Sequence, residues 1–127
     1  MHLAHVALWT RDLEEAAEFF RRYFDATISD PYHSARRPGF VSRFVMLPNG
    51  NDRIELMTGP WIAGRDSEER VGWDHIAISL GDATAVDALA ARCKADGVLL
   101  SAPRMTGDGF YEAVIFMPDG ARIEITG

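Results

Sequence analysis

The sequence predicts an α+β fold made of two copies of one βαβββ module. Two repeats support this prediction. His-Val-Ala-Leu at residues 5–8 returns as His-Ile-Ala-Ile at residues 75–78. Pro-Asn-Gly followed by Arg-Ile-Glu-Leu, at residues 48–56, returns as Pro-Asp-Gly followed by Arg-Ile-Glu-Ile at residues 118–125. Between the two motifs of each copy lies a segment with helical spacing of apolar residues.

Each module begins with a strand and a helix. We expect the first strand at residues 3–10 and its counterpart at residues 73–80. In the first helix Asp12 and Glu15 fit a capping box, and in the second Asp82 or Thr84 is the expected start and Gly97 the C-terminal cap. The apolar stripes of the two helices are Leu13, Ala16, Ala17, Phe20, Tyr23 and Phe24, and Val86, Leu89, Ala90 and Cys93.

Each helix is followed by strand material, a variable loop and a hairpin. The hairpin strands are residues 39–47 with 53–58, and 111–117 with 122–126, joined by Gly-containing turns. The chain is therefore read as one domain, residues 1–127. Its first module covers about residues 1–58, its linker residues 59–71 and its second module about residues 72–127.

Composition excludes several classes of protein. The 127 residues suit a single core, and the net charge of −6 argues against a general nucleic-acid binder. No apolar run is long enough to span a bilayer, and we expect no signal peptide before the first strand. The single cysteine, Cys93, is expected in the core of the second helix. We expect a cytoplasmic protein without membrane or nucleic-acid partners.

Strand alternation predicts the direction of the two repeated His–Glu pairs. The isoleucine, leucine and valine residues of these strands take the face that a helix can cover. His5, Glu55, His75 and Glu124 take the opposite face, beside small neighbours such as Ala7. A carboxylate in mid-strand is disfavoured and is costly when buried without a partner. A divalent cation shared by two imidazoles and two carboxylates would explain both pairs.

Simpler interpretations exist for each residue alone. A single strand histidine is more often structural than metal-binding, and Glu55 or Glu124 could pair with Arg53 or Arg122 at the surface. Recurrence of His and Glu in the same order in two copies favours the metal site. His2 and His33 lack such support, and we expect both to be solvated.

Further candidates lie in loops near the expected site. Arg36, Arg37 and Arg104 are read as ordinary surface charges or, if the ligand carries carboxylates, as its partners. Trp9, Phe110 and Tyr111 could line the same cavity. The predicted substrate-binding residues are Trp9, Arg104, Phe110 and Tyr111.

These motifs resemble those of the vicinal oxygen chelate superfamily, the group of glyoxalase I, bleomycin-resistance proteins and extradiol dioxygenases. The resemblance covers essentially the whole chain and implies a cup-shaped, eight-stranded mixed sheet around a metal. Glyoxalase I uses His, Glu, His and Glu in the order found here. The short chain resembles the bacterial form, which implies nickel or cobalt, with zinc, manganese and iron as alternatives.

The resemblance implies a lactoylglutathione lyase-like enzyme that acts on the hemithioacetal of a 2-oxoaldehyde through an enediolate. The metal ligands would be His5, Glu55, His75 and Glu124, and Glu124 or Glu55 would act as the general base. It also implies a homodimer, with the metal site formed within one chain or shared between two.

One departure weakens the expectation of glutathione as the thiol. Bacterial glyoxalase I carries an arginine four residues after the first histidine, where this chain has Trp9. The alternatives are another metalloenzyme of the superfamily (a thiol transferase, an epimerase or a dioxygenase) and a non-catalytic protein that binds a drug or metabolite.

Overall fold

The computed structural model describes residues 3–48, 50–63, 72–107 and 109–127. Its contacts divide the chain into two units, Met1–Gly64 and Arg65–Gly127. Each unit consists of one helix packed on one mixed sheet. His2 and residues 64–71 of the expected linker lie outside the described residues.

The first unit has five strands in its sheet, in the order β1-β5-β4-β2, with β3 also paired to β4. Strands β1 and β5 are parallel, and the other pairs are antiparallel. Helix α1 packs on β5, β4 and β2. The elements are β1 (Val6–Trp9), α1 (Leu13–Phe24), β2 (Thr27–Ile28), β3 (Tyr32–His33), β4 (Val41–Met46) and β5 (Arg53–Thr58).

The second unit repeats this plan with four strands, in the order β6-β9-β8-β7. Strands β6 and β9 are parallel, as β1 and β5 are in the first unit. Helix α2 packs mainly on β7 and β8. The elements are β6 (His75–Ser79), α2 (Ala83–Ala95), β7 (Leu99–Met105), β8 (Tyr111–Phe116) and β9 (Arg122–Thr126).

Both helices begin at an aspartate whose side chain satisfies backbone N–H groups of the first turn. The Asp12 carboxylate accepts from the backbone N–H groups of Glu14 and Glu15, at 2.9 and 3.0 Å. The Asp82 carboxylate accepts from the backbone N–H of Ala85 at 2.9 Å. Side-chain oxygens at this position satisfy donors that have no partner within the helix. The predicted helix starts are confirmed, with Asp82 rather than Thr84 at the second.

The α+β class and the two βαβββ modules are confirmed, and the modules form two mixed sheets. The described residues contain nine strands, because the strand expected after α1 is two short strands, β2 and β3. Pro31, between β2 and β3, has no backbone N–H to donate to a neighbouring strand. Just before it, the Ser29 hydroxyl accepts a hydrogen bond from the backbone N–H of Phe44 at 2.8 Å. His33, expected in a loop, lies in β3 and is exposed.

The expected alternation of faces is also confirmed. Ile54, Leu56, Ile123 and Ile125 are between 0 and 3% exposed, on the faces that carry the helices. The residues between them in β5 and β9, which include Glu55 and Glu124, are only partly buried. Each sheet therefore has an apolar face against its helix and an opposite face that bears the repeated His and Glu, called the open face below.

Candidate metal centre

In the second unit His75 and Glu124 are neighbours on the open face. His75 begins β6, and Glu124 lies in the adjacent parallel strand β9, where it pairs in register with Ala77. Because Ala77 has only a methyl group, the carboxylate can lean toward His75. The His75 Nε2 and Glu124 Oε2 atoms are 3.4 Å apart, and the two side chains are 40% and 17% exposed.

Asp74 fixes the orientation of the His75 ring. One oxygen of its carboxylate lies 2.8 Å from His75 Nδ1, and the other accepts from Arg122 Nη1 at 2.8 Å. The hydrogen bond from His75 and the nearby charge of Arg122 lower the pKa of Asp74. An ionised carboxylate can only accept, so Nδ1 must carry the proton. In the neutral ring, the Nε2 lone pair is then directed toward Glu124.

In the first unit His5 and Glu55 form the equivalent pair. Glu55 lies in β5, in register with Ala7 of the parallel strand β1. The His5 Nε2 and Glu55 Oε2 atoms are 3.6 Å apart, and the side chains are 40% and 19% exposed. The His5 ring packs edge-on against Phe44 at 5.4 Å. Ala4 stands where the second unit has Asp74, so this ring is held by packing and not by a carboxylate from the preceding residue.

The donor chemistry of each pair fits a divalent cation. A neutral imidazole nitrogen and a carboxylate oxygen are both acceptors, and a cation between them turns their repulsion into attraction. Two ligand atoms at about 2.1 Å from one metal lie about 3.0–3.4 Å apart. The observed separations of 3.4 and 3.6 Å are at or just above that range. Among the described residues, no group of three or more His, Cys, Asp or Glu is placed to hold a metal.

The open face of the second unit also carries a cavity of about 540 Å³. Arg104 and Glu112 form an ion pair in it at 3.2 Å, in which the Glu112 side chain is 12% exposed. The cavity therefore combines His75, Glu124, the Arg104–Glu112 ion pair and apolar surface. Its lining residues are His75, Ala77, Arg104, Thr106, Phe110, Glu112, Glu124 and Thr126.

Sequence reasoning missed Glu112, although strand alternation could have found it. Val114 pairs in register with Glu124, and Glu112 lies two residues earlier in the same strand. Residues two apart in a strand share a face. Glu112 therefore lies on the open face with Glu124, as the same alternation rule predicts.

The predicted substrate-binding residues divide into three groups. Arg104 and Phe110 line the cavity of the second unit. Tyr111 does not, because it shares the helix-covered face of β8 with Ala113, and its hydroxyl donates to Asp87 of α2 at 2.6 Å. Trp9 lies in the first unit, on the open face of β1, and is 41% exposed. Its ring contacts are with Phe40, Trp61 and Arg37.

In the described part of the chain, neither helix has the length and apolar character needed to cross a membrane.

The family described as Glyoxalase/Bleomycin resistance protein/Dioxygenase superfamily matches residues 2–125. Among curated proteins, no match is found.

Solved structures show the same fold. A glyoxylase/bleomycin resistance protein/dioxygenase domain from Frankia sp. EAN1pec is 20% identical with a TM-score of 0.86, over 99% of this chain and 96% of that one. The trypanothione-dependent glyoxalase I of Leishmania major is 18% identical with a TM-score of 0.76, over 100% and 86%. A mutant of the fosfomycin resistance protein FosX from Listeria monocytogenes, complexed with Mn(II) and 1S,2S-dihydroxypropylphosphonic acid, is 21% identical with a TM-score of 0.70, over 99% and 91%.

Proposed function

The chain belongs to the glyoxalase/bleomycin resistance protein/dioxygenase superfamily, and from this premise we propose that it is a metal-dependent lyase or isomerase of the glyoxalase I type. Its substrate would be a small molecule with two neighbouring oxygens, such as the hemithioacetal of a 2-oxoaldehyde. The observation that supports this proposal is the recurrence of one His–Glu pair, with separations of 3.6 and 3.4 Å, at equivalent positions of both units.

The proposed ligands are His5, Glu55, His75 and Glu124, which would hold one divalent cation per chain, with nickel or cobalt favoured. Two nitrogens and two oxygens suit such ions. When bound, the cation would supply Lewis acidity, which stabilises negative charge on the two substrate oxygens. The same four ligands would serve within one chain or across a homodimer.

The residues of the chain then have distinct roles. His5 and His75 would remain neutral ligands, and Asp74 would hold the His75 ring in place through Nδ1. Glu124, or its counterpart Glu55, would take the proton from the substrate carbon and return it to the neighbouring carbon. Because the proton is transferred within the substrate, the reaction is an isomerisation and needs no further reactant.

The cavity of the second unit would position the rest of the substrate. Phe110 is 53% exposed there and offers an apolar surface. The Arg104 side chain is 60% exposed, and its Nη2 atom forms the ion pair with Glu112. Its other N–H groups would therefore be available to bind an anionic substituent of the substrate.

The proposal is tested by titrating metal-free protein with nickel, cobalt, zinc and manganese while the isomerisation of the methylglyoxal–glutathione hemithioacetal is assayed. We expect one metal per chain and measurable turnover. Whichever of Glu124→Gln and Glu55→Gln removes the general base should lower kcat by about 10²-fold or more, because general base catalysis contributes that much. The other variant should weaken metal binding, because it removes a proposed ligand. Glu15→Gln, which changes an exposed carboxylate on α1, is the matched control and should leave kcat unchanged.

The outcomes separate the metal from the substrate. Metal uptake at one ion per chain without turnover would retain the site and reject this hemithioacetal. Absence of uptake for all four ions would reject the site and the reaction together.

A further inference from the structure

Four residues of the first unit form a cluster that the proposed metal chemistry does not use. In this group, called the Arg37 cluster, the Arg37 guanidinium carbon lies 3.9 Å from the centre of the Trp61 ring. It also lies 5.5 Å from the Trp9 ring and 5.9 Å from the Phe40 ring. Trp9 meets both other aromatic rings nearly at right angles.

A tight turn places Arg37 and Phe40 in the cluster. The Phe40 backbone N–H donates to the Arg37 carbonyl at 3.0 Å across Pro38 and Gly39. Gly39 has a φ of 85°. A type II turn of four residues typically has proline at its second position and a glycine with positive φ at its third. The sequence Arg-Pro-Gly-Phe therefore fixes the local backbone that presents both side chains.

A second turn brings Trp61 to the same place. The Ile62 backbone N–H donates to the Gly59 carbonyl at 3.1 Å. The two turns touch so closely that a Cβ on Gly39 would lie 2.8 Å from Pro60 Cδ. A Cβ on Gly59 would lie 2.4 Å from the Trp61 ring. Larger residues at these two glycines would force the turns or the ring to shift.

Arg37 is held in a way that favours binding of an anion. A guanidinium that packs near aromatic rings is preordered, and its N–H donors lie in its own plane. Within the described residues, no carboxylate forms an ion pair with Arg37. Trp9 and Trp61 remain 41% and 40% exposed, so a small ligand can reach the cluster. The site thus offers a fixed cation beside accessible apolar surface.

We propose that the Arg37 cluster binds the carboxylate of a small organic acid, whose flat apolar body packs against Trp9 and Trp61. A carboxylate can accept two parallel hydrogen bonds from one guanidinium, and such charge-assisted pairs are roughly twice as strong as neutral hydrogen bonds. The proposal does not depend on metal binding and concerns the first unit alone.

Benzoate is a suitable probe, and benzamide is its uncharged control of the same shape. Tryptophan fluorescence reports directly on the cluster, and Trp73→Phe removes the third tryptophan, which is 91% exposed. In metal-free protein of this variant, benzoate should quench the fluorescence saturably. Benzamide should bind at least about tenfold more weakly, since a hydrogen bond to a charged group contributes that much.

Arg37→Gln in the same background should weaken benzoate binding at least about tenfold. Arg22→Gln, which removes the same charge from an exposed arginine of α1, is the control and should leave the affinity unchanged. Equal binding of benzoate and benzamide would overturn the proposal even if Arg37→Gln failed to fold. Equal affinities of the Arg37→Gln and Arg22→Gln variants would overturn it as well. Because the readout needs no metal, its failure is distinct from failure of the proposed enzyme activity.

Discussion

The two histidines differ in what holds them, although their Nε2–carboxylate separations are similar. The His75 ring is fixed by Asp74, and Asp74 is itself fixed by Arg122. The His5 ring rests against the edge of Phe44. A carboxylate on the second ring nitrogen sets the tautomer and strengthens the imidazole as a ligand. The second unit is therefore the better preorganised half of the proposed metal centre.

Removal of the Asp74 carboxylate should weaken metal binding. For Asp74→Ala we expect a Kd for nickel about 10–100-fold higher, because such outer partners contribute that much to metal affinity. Asp74→Asn should recover part of the loss, since its amide oxygen can still accept from Nδ1. The measurements are metal titration and the ¹⁵N shifts of the His75 ring, which report the tautomer. An unchanged tautomer in Asp74→Ala, with Asp30→Asn as the neutral control, would contradict the positioning role.

Helices and strand faces were predictable because they depend on local rules. The caps at Asp12 and Asp82 and the buried stripe of α2 follow from spacing and capping chemistry. The division of the strand after α1 did not follow from spacing, because it depends on how Ser29 bonds to Phe44 of a later strand. Tyr111 was predicted to line the same cavity as Phe110, whereas strand alternation and its hydrogen bond to Asp87 place it on the helix side. Both differences depend on partners distant in sequence, Phe44 for Ser29 and Asp87 for Tyr111.

At the level of elements, Glu14 ties α1 to the sheet. Its carboxylate accepts from Arg21 of α1 at 2.7 Å and from Arg43 of β4 at 2.5 Å. The hydrogen bond from Arg21, with added attraction from both guanidinium charges, lowers the pKa of Glu14 below 4.5. A carboxyl group with a lowered pKa in the folded state stabilises the fold above its unfolded pKa. This stabilisation is lost as the pH falls through the folded value.

Glu14→Gln should therefore lower the free energy of unfolding at pH 7 by a small amount. The difference from the parent protein should shrink as the pH falls below about 4.5 and vanish below the folded pKa, because Glu14 is then protonated. Urea unfolding at a series of pH values measures it. Glu15→Gln, on the same turn of α1, is the control. A difference between Glu14→Gln and the parent that does not change with pH would exclude the ion pairs as its cause.

At the level of the whole molecule, duplication explains why the proposed ligands come in equal pairs. Each unit carries one imidazole and one carboxylate at a parallel strand pair: His5 just before β1 with Glu55 in β5, and His75 in β6 with Glu124 in β9. The pairs were predictable from the sequence because the motifs recur in order. Binding of one cation by both pairs is a separate question, which metal-binding measurements test. A cation that takes ligands from both units should be lost when either unit is altered.

Metal binding should raise Tm, and the effect should need both units. At a free metal concentration of 100 Kd, binding to the folded state alone adds about 2.7 kcal/mol. For a chain of this length that corresponds to a rise in Tm of about 10 °C. His5→Ala and His75→Ala should each abolish most of the rise, whereas His33→Ala, an exposed residue of β3, should retain it. Thermal unfolding with and without nickel measures the shift. If His75→Ala abolished the rise and His5→Ala did not, the second unit would bind the metal alone, and the four-ligand proposal would be wrong.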